Sequence, residues 1–196
     1  MKKSEATRLT ILQKAFDLIY VKGYQTTSVD EIIATTQVTK GAFYYHFKTK
    51  DEMGLAIINE LLKPTFKKTF IDPLGNDDHP LDNIYELMYS ILMENEILKV
   101  EYGCPASNFT QEMAPWNIDF TKALNELSRQ WENAMIEAIE KGKQTGIISK
   151  DADAKGIAVW VMSGYWGVRN LGKLENNKSV YLTYLKQLKA YLNSFK

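Results

Sequence analysis

The sequence predicts an all-α protein of about nine helices, a three-helix N-terminal head followed by a larger helical body. Three observations carry this. Apolar residues recur at spacings of three and four over long stretches, as in Leu9, Leu12, Phe16 and Ile19. Gly, Pro and Asn interrupt the pattern at helix-length intervals. No segment alternates with the two-residue period of a strand, and no internal repeat or low-complexity tract is present.

Taken in order, the first helix is expected over residues 4–21, closed by Gly23, which can take the left-handed conformation of a helix C-terminus. Thr27 or Ser28 offers a cap to a short second helix, with Asp30 and Glu31 in its first turn and Val29, Ile32 and Ile33 facing inward. A third short helix is expected over 39–47. A fourth, over 51–70, carries Met53, Leu55, Ile57, Ile58, Leu61 and Leu62. Residues 71–80, rich in Asp, Asn, Gly and Pro, read as a linker. Further helices are expected over 81–99, 105–114, 117–141, 152–171 and 179–195. The domain boundary is placed between 50 and 51: a head of residues 1–50 and a body of 51–196, connected by the helix 51–70.

Composition narrows the function. With 196 residues, 45% hydrophobic and 24% charged, the chain is globular in composition. The polar first ten residues and the lack of an 18-residue apolar run predict a soluble, cytoplasmic protein that makes no membrane contact. The single Cys104 forbids an internal disulfide, and two distant histidines offer no metal-ligand spacing, so neither metal nor cofactor is expected. The net charge of zero hides an asymmetry. Residues 1–50 hold eight Lys/Arg against four acids, so a basic head sits on an acidic body. Random surface charge could produce the same split.

The third helix carries the functional signal. Two short helices joined by a turn, the second polar at its start and aromatic later, have helix-turn-helix proportions. Thr39 and Lys40 open that second helix, where backbone N–H groups favour phosphate. Gly41 removes a side chain where a backbone must approach another surface. Tyr44, Tyr45 and His46 add donors, and Lys48 and Lys50 follow. Thr27 and Ser28, at the start of the preceding helix, complete the candidate DNA-binding set. Phe43 and Phe47, four apart, read as the inward face.

The stretch VTKGAFYYHFKTKDEM, residues 38–53, resembles the N-terminal domain of the TetR/AcrR family of regulators, and the likeness extends over residues 6–60. The resemblance implies a homodimer that places two recognition helices in successive major grooves of a palindromic double-stranded operator. It implies contacts from Thr39, Lys40, Gly41, Tyr44, Tyr45, His46 and Lys50, mostly to phosphates, with Lys40, Gly41 and Tyr44 nearest the base edges. The family commonly has Gly in the turn where this chain has Gln37. At positive φ, Gln37 would cost on the order of 1 kcal/mol.

Beyond residue 80 the likeness is weaker. Residues 103–112 are similar to a Gly-Cys-x-x-x-Asn-x-x-x-Glu pattern that opens a helix lining the ligand cavity in one set of these regulators. Some relatives with that pattern sense electrophiles or oxidants through the Cys. Cys104, just before Pro105, would lie at the positive end of a helix dipole. The competing reading is a small buried hydrophobe.

Candidate ligand-binding residues are Tyr85, Met88, Tyr89 and Cys104, then Phe109, Met113 and Trp116, and Trp131, Met135, Trp160 and Tyr165. Their flat, soft side chains suit a small apolar or aromatic inducer, although most must be core. Val161, Val168, Tyr181, Tyr184, Leu185, Leu188 and Leu192 are the candidate dimer interface, with glycines 156, 164 and 167 allowing close helix approach.

The expected function is a repressor released from its operator by a small-molecule ligand. Alternatives are a redox- or electrophile-sensing repressor acting through Cys104, and a helical ligand-binding or interaction module that does not touch DNA. An enzyme is not expected: there is no HExxH, no Glu-x-x-His pair and no Gly-rich phosphate loop.

Overall fold

The computed structural model describes residues 3–75 and 79–196; Met1, Lys2 and, in the middle of the expected linker, Asn76, Asp77 and Asp78 lie outside the described residues. Among the described residues the regular structure is helical, with no strand. The apolar stripe of α1 (Lys3–Lys22) buries Ile11, Leu12, Ala15 and Ile19, with Leu9 and Phe16 at its margin. Gly23 ends the helix at φ +95°, donating its N–H to the Ile19 carbonyl at 2.7 Å. α2 (Val29–Ala34) and α3 (Lys40–His46) follow.

The expected fourth helix is a continuous but irregular rod. α4 (Lys50–Ala56) runs through widened π-type turns (Ile57–Leu62) into α5 (Lys63–Phe66) and a second widened stretch (Lys67–Ile71). Pro64, which has no N–H to donate, lies between the two widened stretches. The remaining helices are α6 (Pro80–Tyr89), α7 (Pro105–Met113), α8 (Ile118–Gln144), α9 (Ala154–Glu175) and α10 (Ser179–Asn193).

The chain forms two compact units whose boundary differs from the expected one at 50/51. The first comprises residues 1–65 and 105–125, the second 66–104 and 126–196. α7 and the start of α8 belong with the helix-turn-helix for a packing reason. Tyr24 at the α1–α2 turn has its ring 5.6 Å from Phe109 and 5.3 Å from Phe120. Gly54 of α4 lets those rings close over it, since a Cβ there would lie 2.7 Å from both Phe120 and Tyr24. A two-point clasp adds to this: the Gln25 N–H donates to the Glu112 carboxylate (2.8 Å), and the Gln25 amide donates to the Glu112 carbonyl (2.9 Å).

In the second unit α10 packs on α9 and α6. Gly164 of α9 admits the Tyr184 ring, 2.5 Å from where a Cβ would stand, and the Tyr184 hydroxyl donates to the Val161 carbonyl (3.1 Å). Most of the residues expected at a dimer interface lie on this inner side of the two helices. Val161, Val168, Tyr181, Leu185, Leu188 and Leu192 are buried inside the unit, on the faces α9 and α10 turn to its core. Close approach at Gly164 is therefore intramolecular. On these two helices the large apolar residues left exposed are Val159, Trp160, Leu171 and Leu174 of α9 and Leu182 of α10, with Leu174 at 82%.

The expected helix 81–99 stops early: α6 continues through a widened stretch (Ser90–Glu94) and ends there. The Asn95 side chain accepts from the Ile97 and Leu98 N–H groups, each at 3.0 Å, and so competes with helix continuation. The chain then crosses Arg169 of α9, whose guanidinium donates to the carbonyls of Leu98 (3.1 Å), Lys99 (3.0 Å) and Gly103. Arg169 is 0% exposed and also lies over the Tyr181 ring.

Candidate nucleic-acid interface

Local capping builds the interface. The Ser28 hydroxyl accepts from the Glu31 N–H (3.2 Å) while the Glu31 carboxylate accepts from the Ser28 N–H (2.8 Å), a reciprocal box that starts α2. Lys22 pairs with the same carboxylate. The Lys22 hydrogen bond and the two Ser28 donors hold Glu31 down at about 2. Thr27 is turned inward at 1% exposure, its hydroxyl donating to the Gly23 carbonyl at 2.7 Å, so it is withdrawn from the surface where DNA contact was expected. Ser28 stays exposed.

The turn between α2 and α3 needs no left-handed residue at Gln37. The only non-glycine residue with positive φ among the described residues is Asn176, so the strain anticipated for Gln37 does not arise. The Thr39 hydroxyl accepts from the Ala42 N–H (3.2 Å) and caps α3. Phe43 and Phe47 are fully buried with ring centroids 5.9 Å apart, and the Arg8 guanidinium covers Phe47 at 4.6 Å. Arg8 is itself paired with Glu60.

With those two rings anchored, the outward face of α3 carries Lys40, Gly41, Tyr44, Tyr45 and, just past its end, Lys48. Tyr45 is 72% exposed, and His46, half-buried, packs edge-on against it with centroids 5.1 Å apart. A Cβ on Gly41 would meet nothing within 4 Å, so the backbone there is open to an approaching surface. Lys48 donates to the Tyr44 carbonyl (3.3 Å). Lys40 pairs with the exposed Asp30 at 2.9 Å, which raises its pKa above the ordinary lysine value. Asp30 was read from the sequence only as a helix-dipole residue. Its reach to Lys40, ten positions on, depends on the angle between α2 and α3.

Lys50 differs from the others. Its ammonium lies 4.3 Å over the Tyr24 ring and donates to the Gln25 carbonyl at 3.5 Å, and partial burial lowers its pKa. Beneath it the Tyr24 hydroxyl donates to Asp51 (2.6 Å); burial first, then Asp51, pushes the phenol far above its usual range.

The expected ligand residues are divided between the units. Phe109, Met113 and Trp116 fall in the first. In the second, Trp131 and Tyr165 meet Phe70 in one aromatic cluster, with centroids 5.0–5.5 Å apart, and Phe66 stacks on Phe70. Phe66 and Phe70, one turn apart on the rod, were not singled out in the sequence. Met88 and Met135 are buried, and Tyr85 and Tyr89 are half-buried on α6. Trp160 lies outside, stacked on Tyr191 at 4.1 Å. The Trp131 indole N–H is buried without a hydrogen-bond partner. Cys104 is buried at the threshold of α7.

Comparison with known proteins agrees with this geometry. Residues 11–57 match the family model for bacterial regulatory proteins of the tetR family, and residues 80–188 match that for the tetracyclin repressor-like C-terminal domain. An uncharacterized HTH-type transcriptional regulator encoded in the lacX 3′ region of Lactococcus lactis is 34% identical over 74% of this chain and 72% of its own length. The HTH-type transcriptional repressor DhaR of Mycobacterium sp. (strain GP1) is 25% identical over 87% of this chain and 84% of its own. Among solved structures, a TetR-family regulator from Cytophaga hutchinsonii superposes with a TM-score of 0.86 at 21% identity, covering 100% of this chain and 98% of that one. At that identity the superposition speaks for the fold.

Proposed function

The chain belongs to the TetR family of DNA-binding transcriptional regulators, and from that premise we propose a homodimeric repressor that holds a palindromic duplex operator and is released by a small apolar or aromatic ligand. The observation that carries the DNA reading is the outward face of α3, where Lys40, open Gly41, exposed Tyr44 and Tyr45, and Lys48 stand together on a helix anchored by Phe43 and Phe47. Ser28, Thr39, His46 and Lys50 flank it; Thr27 supports it from within.

The dimer face we propose is the exposed α9 stripe of Val159, Trp160, Leu171 and Leu174, extended by Leu182. The ligand reading rests on the aromatic cluster around Trp131, whose unpartnered indole N–H would donate to a ligand carbonyl or hydroxyl. No helix among the described residues is long and apolar enough to cross a membrane.

The test is selection of duplex sites from random sequence, followed by anisotropy titrations across a salt series. A selected palindrome is expected to bind well ahead of a scrambled duplex, and Lys40→Ala should reduce the salt slope by about one unit for each phosphate that its ammonium neutralises. Equal affinity for selected and scrambled duplexes, or an unchanged slope in the variant, would overturn the reading.

A further inference from the structure

The first unit contains a cleft of about 450 Å³ lined by Tyr24, Gln25, Lys50, Asp51, Met113 and Trp116. Its size is within the range of small-molecule sites. Tyr24 and Met113 are buried and form an apolar floor. Trp116 is 80% exposed although its backbone is pinned: its N–H donates to the Met113 carbonyl (3.0 Å), and the adjacent Asn117 amide donates to Asp51 (3.1 Å). A large indole held at the edge of a cleft and left uncovered is a ready wall for a flat ring.

The charges choose the ligand. Asp51, Glu112 and Glu31 are the acids around Lys50. Asp51 already accepts from Tyr24 and Asn117, one donor on each oxygen. Glu112 accepts from the Gln25 N–H, and Glu31 is engaged by Lys22 and Ser28. Lys50 has three donors but makes one long hydrogen bond, and no carboxylate among the described residues lies within ion-pair distance of it. Lys50 therefore has donors to spare, and it is partly desolvated, where a pairing anion gains most.

We propose that this cleft binds a small aromatic carboxylate, its ring between Trp116 and the Tyr24–Met113 floor and its carboxylate on the Lys50 ammonium. A carboxylate held there takes Lys50 away from a DNA phosphate. That consequence rests on the DNA-binding reading, whereas occupancy of the cleft does not, so binding is measured without DNA.

The experiment is isothermal titration of the full chain with 2-naphthoate, with 2-naphthylmethanol and 2-naphthylmethylammonium as neutral and cationic analogues. Saturable binding of 2-naphthoate is expected. It should weaken about ten-fold or more in Trp116→Ala and in Lys50→Gln, recover in Lys50→Arg, and exceed that of both analogues by a similar factor. Circular dichroism confirms that each variant is folded; Trp116, being exposed, can be truncated without opening the core. Absence of saturable binding, equal or tighter binding of either analogue, or indifference to both Trp116→Ala and Lys50→Gln would overturn the proposal.

Discussion

Replacing Arg169 by Met tests whether the second unit depends on its buried cation. The substitution keeps an unbranched side chain of similar reach and removes the guanidinium. Three charge-assisted hydrogen bonds, to Leu98, Lys99 and Gly103, disappear, each worth about 1.5–3 kcal/mol. Against this, the folded state no longer holds a desolvated guanidinium for which no ion-pair partner exists among the described residues, a gain of several kcal/mol that cancels much of the loss. The balance turns on the acceptors left behind. Lys99 is exposed and its carbonyl can turn to water, whereas Gly103 is buried and its carbonyl loses the guanidinium with no water at hand to replace it, costing about 1–3 kcal/mol. With the Leu98 and Lys99 carbonyls also released from the guanidinium, the expected destabilisation is about 2–4 kcal/mol. Urea unfolding at fixed protomer concentration, followed by circular dichroism, reads this as a lower midpoint at unchanged slope. A destabilisation below about 1 kcal/mol, or a gain in stability, would refute the assignment of Arg169 as the clamp of the 98–103 segment.

Further outcomes follow from the head. Glu31, held down at about 2, contributes stability that is complete above the ordinary glutamate range and disappears as pH falls through about 2; carboxyl-carbon NMR should place its midpoint there, and Ser28→Ala should raise it, an ordinary midpoint in the parent chain contradicting the cap. Asp30→Asn frees Lys40 from its 2.9 Å partner; duplex affinity at low salt should tighten roughly two- to five-fold, with the difference shrinking as salt rises, and an unchanged affinity would show that the pair does not compete with phosphate.

How much was legible in the sequence follows from the range of the interactions. The caps at Ser28 and Thr39 join residues three apart, and Phe43 and Phe47 repeat at helical spacing, so the starts of α2 and α3 and the outward face of α3 could be read directly. The Glu112–Gln25 clasp joins residues 87 apart, and Arg169 reaches carbonyls 66 to 71 positions away. Nothing in the neighbouring sequence marks Arg169 for that reach. The division into compact units, which departs from the expected 50/51 boundary, has the same cause: Phe109 and Phe120 look like body core until Tyr24 and Gly54 are seen to close on them.

The proposed dimer face shows a different obstacle, which is ambiguity within a single helix. α9 is apolar on two sides. Ile157, Val161, Tyr165, Val168 and Gly172 form one stripe, and Val159, Trp160, Leu171 and Leu174 lie largely on another. Periodicity finds both and ranks neither, since a helix apolar on two sides requires two partners. The structure supplies one of them: α10 takes the first stripe, through Tyr184 on Gly164 and Tyr181 against Gly172. The second stripe stays partly exposed in the single chain, Trp160 being covered on one side by Tyr191, with Gly167 open among its residues. Leaving that much apolar surface in water costs on the order of 25 cal/mol per Å², which is a direct physical reason to seek the partner subunit on this face rather than on the one that sequence spacing first suggests.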